Sequence, residues 1–175
     1  MRKNSKGFSL IELLIVVAII LIIAAIAIPD LLKSRQAAQQ ASAVGSLRTI
    51  NTSEVTYSST YTTGFSSTLL DLDGTANPSV QTSAGLIDSI LGNGVKSAYG
   101  FEYAANPATP APPLPCVSGV VTQGGVGAAP ISSYSINASP FLCAGNGNFY
   151  FTDQSGVIRM NNTTAAGPSD APLAG

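Results

Sequence analysis

A chain of 175 residues has room for one domain of modest size and a membrane helix. Charged residues make up only 10% of it, far below the ~25% of an average soluble domain, and the five cations beyond the first seven residues are scattered and form no basic stripe for nucleic acid. With no histidine anywhere, the commonest general base, metal ligand and triad member is missing at once.

The chain opens on a seven-residue stretch with Arg2, Lys3 and Lys6 that ends in Gly7. Phe8–Ile28 follows, 21 residues whose only polar members are Ser9 and Glu12. As a helix this run measures roughly 31 Å at 1.5 Å per residue, about one bilayer core. The basic start is expected to stay cytoplasmic and the remainder to face the other side. Glu12 is the anomaly, because a carboxylate in hydrocarbon costs about 2.5 kcal/mol or more near the bilayer centre and marks a functional residue by default. A cleavable secretory signal, cut near Ala25-Ile26-Ala27, accounts for neither the length nor Glu12. A plain anchor accounts for the length but not the acid.

Lys6-Gly7-Phe8-Ser9-Leu10-Ile11-Glu12-Leu13-Leu14 resembles the processing site of type IV prepilins and the related pseudopilins. The resemblance is close over about Lys6–Asp30 and only suggestive beyond. It implies that a prepilin peptidase cuts after Gly7, that the new amino terminus on Phe8 is methylated, and that the apolar segment stays on the mature protein. Residues 1–7 are then the leader, 8–30 the transmembrane and filament-core helix, and 31–175 a head that includes the second half of the helix. Without the leader, five cations remain against nine carboxylates, on a surface rich in Ser, Thr, Gly, Ala and Asn that suits close packing against copies of itself.

One long helix is predicted from Phe8 to about Tyr61, some 80 Å if continuous. Pro29 removes a backbone donor and clashes with the carbonyl four residues back, so a kink or local melting is expected near Ala25–Asp30, with a helix end as the alternative. Beyond it, Ala37, Ala41, Val44, Leu47, Ile50, Tyr57 and Tyr61 recur at helical spacing, with Glu54 as the one polar intruder. Lys33, Arg35, Gln36, Gln39, Gln40, Arg48, Asn51 and Thr52 fall on the opposite face.

Thr62–Asn77 reads as an irregular connection. A short helix is predicted at Ala84–Leu91, capped by Ser83 and stopped by Gly92. Strands are predicted at Ser97–Ala104, Ser133–Ala138, Asn148–Thr152 and Val157–Met160, the last two joined by the turn Asp153-Gln154-Ser155-Gly156. Asn106–Pro130, rich in Pro, Ala and Gly, reads as a surface excursion, and Thr163–Gly175 as a loose tail. The class is α+β: a long amino-terminal helix packed against a small antiparallel sheet. The head of type IV pilins has this arrangement, and Leu86–Ser89 with Lys96–Tyr103, and Phe149–Arg159, look like segments of bacterial pilin heads.

Cys116 and Cys143 lie where the topology places the chain outside the cytoplasm, and an even count there favours a disulfide over two buried thiols. Closing a loop of that length is worth roughly 3.5 kcal/mol in the chain-entropy model. Many type IV pilins close a carboxy-terminal loop in this way, which adds weight.

Asp71-Leu72-Asp73-Gly74 resembles a fragment of a calcium loop, yet only Asp71 and Asp73 are in place and no later Glu completes the set. A solvated loop is the plainer reading, although major pseudopilins carry calcium in the head. Sequon-like patterns begin at Asn51, Asn137, Asn161 and Asn162 and are left unassigned. No G-x-S-x-G stands on a strand-to-helix turn, and Gly124-Gly125-Val126-Gly127 and Gly145-Asn146-Gly147 lack the lysine and Ser/Thr of a phosphate loop. The chain therefore reads as a non-enzyme without cofactors.

The resemblance implies a structural subunit that polymerises through its amino-terminal helix into a helical filament, with other copies, the inner membrane and the assembly machinery as its partners. It would sit in the inner membrane before assembly and on the cell surface after it, in a pilus serving adhesion, motility or DNA uptake. The alternatives are a secretion-system pseudopilin and a minor, membrane-anchored binding module. A cut at Gly7 would leave a cation on Phe8 at i relative to Glu12 at i+4, able to pair within one chain or between neighbours. Such a pair would set register, since mis-stacked helices strand both charges in hydrocarbon. The plainer alternative for Glu12 is a carboxylate reaching the headgroups at the membrane edge.

Overall fold

The computed structural model describes residues 8–74, 81–107, 130–141 and 147–173. Helix α1 spans Leu10–Tyr61, and the chain divides into two compact units, Met1–Ala38 and Gln39–Gly175. In the first unit the described chain is helix from Leu10 onward, with its large apolar side chains in the open. The helix does not end or melt at Pro29. Every residue from Ala25 to Asp30 is helical, because losing one backbone bond is cheaper than renucleating a helix in the proline-free stretch that follows.

The second unit has an α+β fold. The carboxy-terminal part of α1 packs against a sheet of five strands: β1 (Val95–Lys96), β2 (Tyr99–Ala105), β3 (Tyr134–Pro140), β4 (Phe149–Asp153) and β5 (Arg159–Asn161). Their spatial order is the sequence order, and every neighbouring pair is antiparallel. Alternation explains the register. Tyr99, Phe101 and Tyr103 of β2 and Tyr134, Ile136 and Ala138 of β3 point to one face and meet Ala43, Leu47, Ile50 and Tyr57 of α1 in the core. Tyr103 stacks on Tyr134 with ring centres 5.9 Å apart.

The buried stripe of α1 differs from the apolar one expected. Ala41 is exposed, Ser46 and Ser53 are buried, and the stripe runs Ala43, Ser46, Leu47, Ile50, Ser53, Glu54, Tyr57. Asn51, expected on the polar face, turns towards the sheet. Its amide donates to Thr152 Oγ1 at 2.9 Å and its carbonyl oxygen accepts from the Tyr134 hydroxyl at 3.0 Å.

Two short helices line the edge of the unit, α2 (Leu69–Leu72) and α3 (Ser89–Gly92). Neither matches expectation. Thr62–Asn77 contains α2, and the helix expected over Ala84–Leu91 is only the single turn α3. Gly85 takes φ +71°, and the amides of Ala84, Gly85 and Leu86 donate to the carbonyls of Asp71, Asp73 and Leu72, so this segment is tied to α2 instead of coiling on itself. The cap falls to Asp88, whose carboxylate accepts from the Leu91 amide at 3.0 Å. Lys96 pairs with the other oxygen of Asp88 at 2.7 Å on the surface.

Strand β1 was not expected. It turns into β2 through Ser97 (φ +52°) and Ala98 (φ +63°), two residues that carry none of the Asn-Gly signal such a turn prefers. The turn at Asp153–Gly156 is as expected, with the Gly156 amide donating to the Asp153 carbonyl at 2.9 Å. The tail is held rather than loose. Leu173 N–H donates to the Ile158 carbonyl at 2.8 Å, Arg159 donates to the Asp170 carbonyl at 2.9 Å, and Ala166 is buried.

Two glycine-region exchanges test this backbone. Gly64 has φ +91°, and a Cβ there would lie 2.0 Å from the Ile131 carbonyl oxygen. Gly64→Ala should therefore destabilise the fold by more than the ~1–2 kcal/mol that a left-handed residue costs alone. Ala98→Gly should stabilise it by about 1 kcal/mol. Denaturant unfolding measures both, and opposite signs are expected.

Candidate functional site

The first unit is built around one carboxylate at the mouth of an apolar helix. Ser9 precedes the first helical residue, Leu10, and Glu12 follows three positions later, a Ser-x-x-Glu spacing that places the acid in the first turn. Its Oε2 accepts the Ser9 amide at 3.0 Å, while the Glu12 amide donates to the Ser9 carbonyl at 3.1 Å. The acid thus satisfies one of the orphan amides at the helix start, where the macrodipole also favours a negative charge. Sequence reasoning read this helix from Phe8 and missed the cap, although the spacing was legible. Phe8 stands outside the helix and is exposed, so the i, i+4 helical geometry expected for Phe8 and Glu12 does not apply to Phe8 here. Gly7 lies outside the described residues, as do Cys116 and Cys143 with their expected disulfide.

Around and beyond Glu12 the surface is apolar as far as Ile28. Leu10, Ile11, Leu13, Leu14 and Ile15 each leave more than half of their area open, and past Asp30 the side chains of Leu31 and Leu32 are exposed as well. Among the described residues α1 is long and apolar enough to cross a membrane. Chemically the segment can enter lipid or pack against other apolar helices, and its carboxylate offers acceptor capacity to a cation arriving at that depth.

In the second unit Asp71 and Asp73 are held in the fold. Asp71 Oδ2 accepts the amides of Ser67 and Thr68, both at 3.0 Å, and the Ser67 hydroxyl, which caps α2. Asp73 is buried. Ser83 Oγ donates to its carbonyl at 3.1 Å, and Gly92 packs so closely that a Cβ there would lie 2.8 Å from Asp73 Cβ. These two positions therefore do not form the solvated loop expected of them, because the folded chain needs Asp71 as a cap. Among the described residues no three His, Cys, Asp or Glu side chains converge on a metal-sized centre. Asn137, one of the sequon-like positions, is buried in β3, while Asn162 is exposed.

Glu54, read from sequence as an intruder in an apolar stripe, is fully buried. Its carboxyl meets the Ser66 amide at 2.9 Å and the Ser66 hydroxyl at 2.6 Å, and burial pushes its pKa up from the usual carboxylate range. Burial likewise raises Tyr57 to about 12. The signal that could have found this site is the acid itself: a carboxylate on the inner face of an amphipathic helix must meet donors from another element.

Residues 2–28 match the family model described as the prokaryotic N-terminal methylation motif. Over 36 residues, 21% of this chain, the sequence is 64% identical to the "Type IV wide pilus major component PilA4" of Thermus thermophilus. That match spans 28% of the relative's own length. No solved structure matches the chain.

Asp71→Ala should lower the stability of the second unit by about 1–2 kcal/mol through loss of the α2 cap. Chemical denaturation with and without calcium checks the assignment. The same loss in both conditions is expected, whereas a calcium ligand would show a larger loss with calcium present.

Proposed function

We propose that this chain, which carries the N-terminal methylation motif of the type IV pilin family, is a structural subunit of a type IV pilus. The observation that carries the reading is the coincidence of that motif with a helix whose large apolar side chains stand exposed among the described residues. A peptidase cuts after Gly7, the amino group of Phe8 becomes the methylated terminus, and the helix waits in the inner membrane. Assembly moves the apolar surface from lipid into a core made of identical helices. A contact that joins one patch to a different patch on the next copy does not close on itself, so growth gives an open helical filament at the cell surface.

Glu12 supplies the register. Once Phe8 carries a free cationic terminus, a neighbouring subunit can bring that charge to the carboxylate, which among the described residues accepts the Ser9 amide. A buried acid that keeps its partner avoids most of the desolvation cost, and one that loses it is penalised by several kcal/mol. Stacking out of step is thereby disfavoured. Pro29 lacks the donor that would complete the turn behind it and is the place where this helix bends or unwinds on entering a filament. The secretion-pseudopilin alternative leaned on Asp71 and Asp73, of which Asp71 serves as the α2 cap.

Mass spectrometry of filaments sheared from cells should find a chain that begins at N-methylated Phe8. Absence of the chain from sheared filaments overturns the pilus reading. Glu12→Ala should reduce incorporation into filaments at least tenfold while the membrane pool of processed subunit persists, as quantified by immunoblotting of the two fractions. Pro29→Ala should give filaments with altered flexibility, read as persistence length by electron microscopy.

A further inference from the structure

Among the described acids of the second unit Glu54 is buried most completely, and its surroundings allow its protons to be counted. It lies in the middle of a short chain of polar atoms. Glu54 Oε2 accepts the Ser66 amide at 2.9 Å, and Oε1 stands 2.6 Å from Ser66 Oγ. Ser66 Oγ is in turn 3.2 Å from the Tyr103 hydroxyl, which donates to the Ser66 carbonyl at 2.8 Å. All three residues are buried.

Ser66 has one hydroxyl proton and two oxygens that call for it. If Glu54 is ionised, that proton goes to Glu54 Oε1, the Tyr103 oxygen accepts nothing, and a full negative charge rests on one amide and one hydroxyl. If Glu54 carries a proton, every link has a single donor: Glu54 Oε1–H to Ser66 Oγ, Ser66 Oγ–H to Tyr103 Oη, Tyr103 Oη–H to the Ser66 carbonyl. The groups that face the acid favour the second count. Tyr57 comes from α1, Asp71 from the α2 side, Tyr103 from β2 and Tyr134 from β3, so its titratable surroundings are neutral or negative. The charged form has lost water and gained no cation.

We propose that Glu54 is a buried proton-binding site: it keeps its proton in the folded protein at neutral pH and, through Ser66 and Tyr103, locks the segment that leads from α1 to α2 onto strand β2. The sign of the linkage follows. The folded state holds this proton more tightly than the unfolded chain, where the group titrates near its ordinary value of 4.5. The stabilisation is fully present below that value and is lost as pH rises through the folded-state pKa. Acid tightens the lock and alkali loosens it.

Glu54→Gln imitates the protonated acid, since its amide donates to Ser66 Oγ while its oxygen accepts the Ser66 amide. The test is infrared spectroscopy of the full-length chain in detergent at neutral pH, with carbon-13-labelled glutamate. The wild type should show a protonated-carboxyl band that moves with the label, loses intensity in Glu54→Gln and persists in Glu102→Gln. Across the window above pH 4.5, the folding constant of the wild type relative to Glu54→Gln should fall by up to about tenfold per pH unit. A neutral-pH spectrum unchanged by Glu54→Gln, or a folding-constant ratio flat with pH, overturns the proposal. Should Glu54→Gln fail to fold, Tyr103→Phe retains the acid but breaks the chain at its far end. The labelled band must then shift, and a band that stays in place overturns the proposal equally.

Discussion

Between Phe8 and Leu32, seventeen large apolar side chains stand uncovered, and water cannot be their lasting surroundings. At about 25 cal/mol per Å² the transfer of such a surface out of water is worth tens of kcal/mol, more than the net stability of an ordinary domain. Whatever else the chain does, this segment must be in lipid or against other apolar helices. An apolar helix is about equally content in either, so the hydrophobic effect does not by itself choose between them. The choice falls to polar detail, and as far as Ile28 the polar detail is Ser9 and Glu12.

Carboxylates in both units meet donors close by: Glu12 the Ser9 amide, Asp71 the amides of Ser67 and Thr68, Glu54 the amide and hydroxyl of Ser66. Backbone amides, rather than lysine or arginine, carry most of this work. That fits a chain so poor in charge, whose surface ion pair among the described residues, Lys96 with Asp88, is half in solvent and of little energetic weight. Low charge leaves the surface of the second unit to hydroxyl, amide and small apolar groups, which pack closely without desolvating ions.

The sheet was largely legible because its strands announce themselves in aromatic alternation. Tyr99, Phe101 and Tyr103 could occupy one face only if β2 was a strand, and Asp153–Gly156 could only reverse the chain. Failures occurred where a local signal was weak or was outvoted. Ser97 and Ala98 take a left-handed turn that their side chains do not favour, so β1 left no trace in the sequence. Ala84–Leu91 has a helical pattern and a good cap, but its amides are claimed by the carbonyls of Asp71, Leu72 and Asp73, and a helix cannot form with those donors engaged elsewhere.

The sequence by itself determined the amino-terminal motif, the apolar run and the α+β class, because these depend on composition and on spacing within one segment. Only the tertiary structure decided which residues of α1 face the sheet and why Asn51 and Glu54 are turned inward. Each of those two polar residues needs partners from further along the chain: Thr152 and Tyr134 for Asn51, Ser66 and Tyr103 around Glu54. Periodicity measures how apolar a face is, whereas the fate of a buried polar group depends on which donors the fold brings to it.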